Sequence, residues 1–596
     1  MELTHISELS DPSGSVIFMD TETNGLHYMT SNPFLLTLGI GKNIHVIQWT
    51  SDLAQWLNEF LSKMNLVVFH NAKYDLHMFI QGGVFKTNID KTKIFCTMVA
   101  EALIDEHQHD FSLDALGKKH FGIGKDTDKL FSALTMMFGG KPNSSQMKNL
   151  FRAPSSLVIE YAVDEMHILK MLYEKQISEL RRQELESLMK LEMEVTKALI
   201  DMERRGVPVD LSLVPEANKR LKRQLQSVSN RLNDLVGFEL NVLSQSQLIR
   251  AFEHLNIPVP VNDGGNISFA KEHLIDLIHP IAKDILQARM LRKGSDTFIS
   301  NIYTYSIDNK IYTNFHQTRD DGGGVGTGRL SSSNPNMQQA PRRDKELGSI
   351  IRSLFKPRNG NEEKWVCGDW SQFEFRIFAH YSGDVELINQ YIKNPNIDFH
   401  QTVSDMTGVP RNPFAKQINL GLIFGMGEGK LAQQLNLPYT KETNSYGRVI
   451  FKPGLEALEI FNAYHTKFPG AKNILKRAAN LARERGYVKT IFGRRIRFQH
   501  KWQTYKAGGL IFQGTAADLM KLKLVELNNE LLKIGGELVL SVHDEYDVIV
   551  PNEQVKTVQC KMKEIMENIP QLKVPMLAKI KVANDWWQAS HSGEED

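Results

Sequence analysis

Apolar positions change their period several times along the chain. SVIFMD (15–20), LLTLGI (35–40) and IHVIQW (44–49) are short apolar runs and predict strands. LVVFH (66–70) predicts a buried strand that leads into a helix, NAKYDLHMFI (71–80). The first 175 or so residues therefore predict an α/β unit. From about 180 to 235 the pattern turns helical and densely charged, as in QISELRRQELESLMKLEMEVTKALIDMERR. That stretch reads as a solvated, coiled-coil-like arm. NPNMQQAPRR (334–343) is a loop, helices dominate from about 385 to 510, and strands alternate with helices thereafter. In that last part LVLSV (538–542) and YDVIV (546–550) bracket His543, Asp544 and Glu545. A polar hairpin tip in water and a metal or phosphate site both fit this bracket.

At 596 residues the chain is too long for one core, so it predicts several domains. A hydrophobic share of 41% and a charged share of 23% are those of a globular protein. No run approaches the roughly 18–20 apolar residues of a membrane span. Three scattered cysteines make neither a disulfide framework nor a zinc cluster, and point to a reducing intracellular compartment. The net charge of +2 does not by itself announce nucleic acid. However, basic residues crowd 341–358 and 483–498, which is compatible with a basic track beside an acidic pocket.

The second carboxylate that Asp544 needs stands in WVCGDWSQFEFRIFAHYSGD (365–384). Asp369 ends a strand-like run, and a helix with Phe375, Phe378 and Ala379 on its apolar face follows from about Ser371. Hard divalent cations take oxygen ligands, so two such aspartates side by side could hold a pair of ions about 3.5–4 Å apart. In RNPFAKQINLGLIFGMGEGKLA (411–432), Asn412 and Pro413 mark a helix start. Lys416, Leu420 and Phe424 then share one helix face, suited to phosphates and a base. Arg411 beside the helix start adds attraction for a triphosphate.

These three segments resemble motifs A, B and C of the family A DNA polymerases, the bacterial DNA polymerase I type. TGRLSSSNPNMQQAPRR (327–343) and QGTAADLMK (513–521) resemble two further segments of that family. The resemblance covers roughly residues 190–590 and implies a right-hand fold of palm, fingers and thumb. It implies a thumb at about 185–310, a palm at about 311–385 and 515–596, and fingers at about 386–514. Asp369 and Asp544 would hold two Mg²⁺ ions, with Mn²⁺ as an alternative, and Glu374 would be the gate against a 2′-hydroxyl. Lys416, with Arg411, Leu420, Phe424, Gln372, His543 and Glu545, would line the deoxynucleoside triphosphate site. Arg329, Asn336, Gln338, Arg343 and Gln513 would contact primer–template DNA. The chain departs from the family at Asn412 and Leu420 in motif B, and at Tyr505 and Gly509 ahead of Gln513.

In IFMDTETNGL (17–26), Asp20 and Glu22 lie two apart and share one strand face, where their repulsion calls for a cation. Asp75 opens a predicted helix, and Tyr161 and Glu165 lie at i and i+4 in YAVDEMHIL. With Asn71, this set resembles the motifs of the DnaQ-like 3′–5′ exonucleases, an RNase H-like fold spanning about 1–180. The third motif of that family places Asp four residues after Tyr; here Glu165 has that place and Asp164 precedes it. The two resemblances imply a proofreading DNA polymerase of phage type, monomeric, working in the host bacterial cytoplasm, with replication accessory proteins as possible partners. Glu374 and a proofreading domain argue against the rival reading, a single-subunit RNA polymerase.

Overall fold

The computed structural model describes residues 3–591, apart from 10, 11, 13, 126, 263, 276, 319–325, 343 and 444–448. The N-terminal sheet has five strands: β1 (Val16–Thr23), β2 (Pro33–Ile40), β3 (Asn43–Gln48), β4 (Leu66–Phe69) and β5 (Ile94–Cys96). Their order is β3-β2-β1-β4-β5, with β1 antiparallel to β2 and parallel to β4. The near-continuous apolar runs noted above are the strands, because helices cover both faces of the sheet. The helix Ala72–Gln81 follows β4, and the 29-residue helix Ser155–Gln183 packs on β1, β2 and β3.

The second sheet is built from the segments expected to form the palm. Its four strands run in the order Glu537–Val542, Glu545–Pro551, Glu363–Trp370, Ala578–Ala583, all antiparallel. The Val555–Glu567 helix comes close to this sheet at Gly368, where a Cβ would lie 2.5 Å from Met562 Cε. The helix Phe373–Ser382 buries Phe375, Phe378 and Ala379 completely, as its sequence pattern predicts. The helix Ala507–Leu531 is buried along most of its length and packs on Glu186–Arg205, Pro469–Arg485 and Val555–Glu567.

The charged 180–235 stretch corrects the expectation of a solvated arm. Glu192, Lys197 and Glu203 of the helix Glu186–Arg205 are buried. The two glutamates are paired across the fold, and Lys197 pairs with Glu194 of its own helix and donates to Asp90 O, which is what makes burial tolerable. Glu192 accepts from Arg494 (2.6 Å) and Lys521 (2.7 Å), and Arg494 also donates to Asp518 (2.7 Å). Glu203 binds Lys73 and His77 of the N-terminal domain, the latter at 2.7 Å. The basic clusters behave the same way: Arg352 and Arg494 are buried, and Arg497 pairs with Glu106. Much of the expected basic track therefore serves cohesion between elements.

Two expected boundaries, 180/181 and 514/515, fall inside the continuous helices Ser155–Gln183 and Ala507–Leu531. Both helices continue without interruption across these positions.

Candidate functional sites

The palm site is set by strand pairing. Asp369 stands opposite Glu545 on one side and Lys579 on the other. His543 and Asp544 form the two-residue turn between Val542 and Glu545, and His543 takes φ 57°. A rigid sheet thus presents Asp369 near its strand end and Asp544 at the adjoining turn. Asp369 Oδ2 accepts from Arg342 at 2.8 Å, while its buried Oδ1 has no hydrogen-bond partner. Arg342 also reaches Glu545 Oε2 at 3.2 Å.

Burial and the neighbouring Asp369 push Asp544 up to about 7, against the opposing pull of Arg342. Asp369 is raised by burial, although Arg342 counters it. For Glu545 burial is outweighed by Arg342 and Arg352, and its carboxyl stays below the usual range. Trp586 Nε1 donates to Glu545 at 3.0 Å, and Arg352 stacks over the Trp586 ring. Two positions along the strand from Glu545, Asp547 accepts from Trp365 Nε1 at 2.8 Å.

The other proposed polymerase residues are placed unequally. Asn412 is extended (φ −115°, ψ 135°), as the residue before a helix start should be, and the regular α-helix runs Lys416–Ile423. Lys416 is exposed, and Leu420 and Phe424 are half-buried on the same face. Arg411, expected free for a triphosphate, is bound to Asp398 at 2.6 Å. Gln372, expected at the substrate, is folded inward: its amide donates to Ile397 O at 2.8 Å. Its φ of 52° and its place opening the Phe373–Ser382 helix turn it that way.

Glu374 accepts from Arg329 at 2.7 Å. Gln338 donates to Ser541 O (3.2 Å) beside the His543–Asp544 turn, and Asn336 accepts from Ser332 (3.1 Å). Gln513 is half-buried on the Ala507–Leu531 helix. Arg343 lies outside the described residues. Gly509 has a steric reason: a Cβ there would lie 2.7 Å from Phe424 Cδ1. A larger side chain at 509 would have to move the Phe424 ring.

The second site lies on the N-terminal sheet. Oxygens of Asp20, Glu22 and Glu165 all come within 4.8 Å of one another. Asp20 and Glu22 share a face of β1, and the i+4 spacing brings Tyr161 and Glu165 to the same face of their helix. Glu165 is buried while Asp164 is exposed, so the swapped order keeps a carboxylate in the cluster. Asp75 lies next to this cluster, accepting from Thr21 N (3.0 Å) and Thr21 Oγ1 (2.8 Å), and burial and the nearby Asp20 raise its carboxyl. Asn71 precedes its helix with φ 62°.

Burial, the facing Asp20 and a partial offset from Lys125 bring Glu22 to about 8. Asp20 rises to about 6 by burial, again offset by Lys125. Buried carboxyls this crowded, with Glu22 Oε1 lacking a hydrogen-bond partner, are what a divalent cation would satisfy. The unpaired Asp369 Oδ1 makes the same case at the palm.

Sequence reasoning missed Lys125, Arg342, Asp547 and Trp586. Arg342 carried a signal, the PRR triplet, but its neighbour Arg343 was chosen. Asp547 carried another, an acid inside an apolar strand.

An RNase H-like sheet ahead of a right-hand palm, each with its own acidic cluster, defines a polymerase that carries a nuclease. Residues 212–588 match the family described as DNA polymerase family A, and residues 4–181 match a 3′–5′ exonuclease family. The chain belongs to the family A DNA polymerases and carries a 3′–5′ exonuclease domain. It is 37% identical to DNA polymerase DpoZ of Acinetobacter phage SH-Ab 15497 and 36% identical to DpoZ of Salmonella phage PMBT28. Each of these matches covers 97% of both chains. The thermostable DNA polymerase I of Thermus aquaticus is 32% identical over 67% of this chain and 48% of that protein. In fold it is similar to the POL domain of Pol1 from M. smegmatis, solved with DNA primer-template and dNTP. That likeness has a TM-score of 0.79 at 24% identity and covers 98% of each chain.

Proposed function

We propose that Asp369 and Asp544 are the metal carboxylates of DNA synthesis, and that Asp20, Glu22 and Glu165, with Asp75 alongside, are those of proofreading hydrolysis. The observation that carries the reading is the pairing of Asp369 with Glu545 in register, which sets Asp544 beside it on a rigid sheet. Mg²⁺, or Mn²⁺ in its place, would supply charge neutralisation at the attacking and leaving oxygens.

The protein's own part is positioning. Lys416 holds the triphosphate, and Leu420 and Phe424 lie against sugar and base. Glu374, fixed by Arg329, closes the space that a 2′-hydroxyl would need. Glu545 stiffens the hairpin from behind, and His543 at its tip faces the primer end. Asn336, Gln338, Gln513 and Arg343 follow the primer–template. Arg411 and Gln372 act at the nucleotide only after leaving their present partners, Asp398 and Ile397. At the other site the Tyr161 hydroxyl, one turn from Glu165, orients the attacking water.

The thumb is assigned to about 185–310, the fingers to about 386–514 and the palm to the remainder, with Ala507–Leu531 spanning their junction. The substrates are primer–template DNA and deoxynucleoside triphosphates, and the setting is phage genome replication by a monomer in the bacterial cytoplasm, alone or with accessory proteins. Among the described residues no helix is long and apolar enough to cross a membrane.

Primer extension tests the whole reading. Wild type with Mg²⁺ should extend a labelled primer when nucleotides are present and trim it when they are absent. Asp369→Ala should lose extension alone, and Asp20→Ala/Glu22→Ala should lose trimming alone. Trimming without extension under every condition would overturn the polymerase assignment.

A further inference from the structure

Lys125 enters the exonuclease cluster from a segment whose backbone is built to deliver it. Its own N–H donates to Asp114 Oδ1 at 2.7 Å, and the helix Leu113–Phe121 before it is closed by Gly122. At Gly124 a Cβ would lie 2.3 Å from Lys118 Cε and 2.7 Å from Asp114 Oδ1, so a larger residue would have to push these side chains aside. From this pinned backbone the ammonium pairs with Glu165 Oε1 and donates to the Tyr161 hydroxyl at 3.3 Å. It also lies over the Tyr161 ring at 5.3 Å from the centroid, and its side chain is only 18% exposed.

Glu165 is one of the three carboxylates whose oxygens lie within 4.8 Å of one another. An ammonium on that carboxylate and a divalent cation among the same three oxygens would repel strongly at such separations. One must yield when the other binds.

We propose that Lys125 is the exonuclease site's own counter-ion, which occupies Glu165 in the metal-free enzyme and competes with the divalent cation for it. The proposal rests on reading Asp20, Glu22 and Glu165 as the metal ligands. Lys125 thereby sets the metal concentration at which trimming begins, separately from the concentration that DNA synthesis requires. Once displaced, the ammonium stays at the rim beside Tyr161, where it faces the anionic phosphodiester.

The test is binding of Mn²⁺ alone, followed by electron paramagnetic resonance, to the full chain carrying Asp369→Asn and Asp544→Asn to silence the palm. In that background Lys125→Met should bind Mn²⁺ about tenfold more tightly, as loss of one competing charge at contact distance implies. Lys125→Gln, neutral but shorter, gives a second reading if the Met variant folds poorly. Lys125→Arg, which keeps the charge, should stay near the parent. Metal-free Lys125→Met should also melt at a lower temperature than Lys129→Met, a control that loses only the exposed pair with Glu160.

Unchanged or weaker Mn²⁺ binding in both neutral variants would overturn the proposal. Equal tightening by the Arg variant would also overturn it, because the effect would then be shape and not charge. Asp20→Ala/Glu22→Ala in the same background separates the two levels of the argument. If it abolishes Mn²⁺ binding while the Lys125 variants do nothing, the ligand assignment stands and the counter-ion idea fails. If it too leaves binding intact, the ligand assignment itself is wrong.

Discussion

At the N-terminal site three carboxylates from one strand and one helix face each other, and a lysine reaches in from a loop. At the palm one aspartate stands near the end of an inner strand and the other at the adjoining turn, and behind them Arg342, Arg352 and Trp586 hold Glu545. The consequences for charge differ. Glu22 is lifted to about 8 by burial and by Asp20, whereas Glu545, equally buried, is brought below the usual range because two arginines outweigh its burial. Crowding carboxylates makes a site that holds protons until a cation arrives. Backing one carboxylate with fixed arginines keeps that carboxylate charged, although Asp369 and Asp544 beside it are themselves raised by burial. Both solve the same problem, keeping like charges together in a fold before the metal binds.

The sharpest way to break this comparison is to remove one set of carboxylates and ask whether the other site notices. Asp544→Asn should lower the rate of nucleotide addition by at least about a thousandfold while trimming is retained. Asp20→Ala/Glu22→Ala should do the reverse. If each variant lost both activities when single-turnover rates are measured on the same primer, the two sites would not be independent.

Next in size is the buried ion network inside the polymerase part. Glu192 takes hydrogen bonds from Arg494, Lys521 and Gln317, and these partners outweigh burial to bring its carboxyl to about 2. Glu192→Gln would strand Lys521, whose ammonium is buried, so stability should fall by about 3–5 kcal/mol. Chemical denaturation followed at several wavelengths measures this, and a loss under about 1 kcal/mol would mean the network is dispensable.

What the sequence could reveal follows from this contrast. Aspartates at strand ends and carboxylates two apart on a strand are local patterns, so Asp369, Asp544, Asp20 and Glu22 were legible. The i+4 rule also picked Glu165 over Asp164, and only Glu165 is buried in the cluster. The groups that balance those charges were not legible, because nothing local requires them. Lys125 lies 40 residues before Glu165, and only the fold brings its ammonium there. The Glu186–Arg205 helix misled for the same reason: in isolation its charges look solvated, and their partners at 494 and 521 are some 300 residues away. Gln372 and Arg411 each have a tertiary hydrogen-bond partner that one-dimensional spacing cannot disclose.

A smaller effect sharpens the palm half of the comparison. Glu374, held by Arg329, is assigned the space beside the sugar. Glu374→Ala should raise ribonucleotide insertion relative to deoxynucleotide insertion by about tenfold or more, read as the ratio of kcat/KM values. If wild type already used both sugars equally, Glu374 would not be the gate.

The smallest expected effect concerns protons, and it bears most directly on how the two sites differ. In the metal-free fold Asp20 and Glu22 titrate near 6 and 8, against ordinary values of 3.8 and 4.5. Both are raised carboxyls, so between about pH 4 and pH 8 the folded chain holds protons that the unfolded chain has released. Stability must then fall as pH rises through that window and level off above it. A divalent cation favours the ionised carboxylates, so added Mg²⁺ should flatten the fall and release protons on binding. At pH 7 Glu22 would shed roughly one proton, with a further fraction from Asp544, which titrates near 7. Isothermal calorimetry in buffers of different ionisation enthalpy counts these protons. Asp20→Ala/Glu22→Ala should remove the larger share and Asp544→Asn the smaller. Equal shares would mean the palm is as short of compensating charge as the N-terminal cluster, and the contrast between crowded and arginine-backed carboxylates would fail.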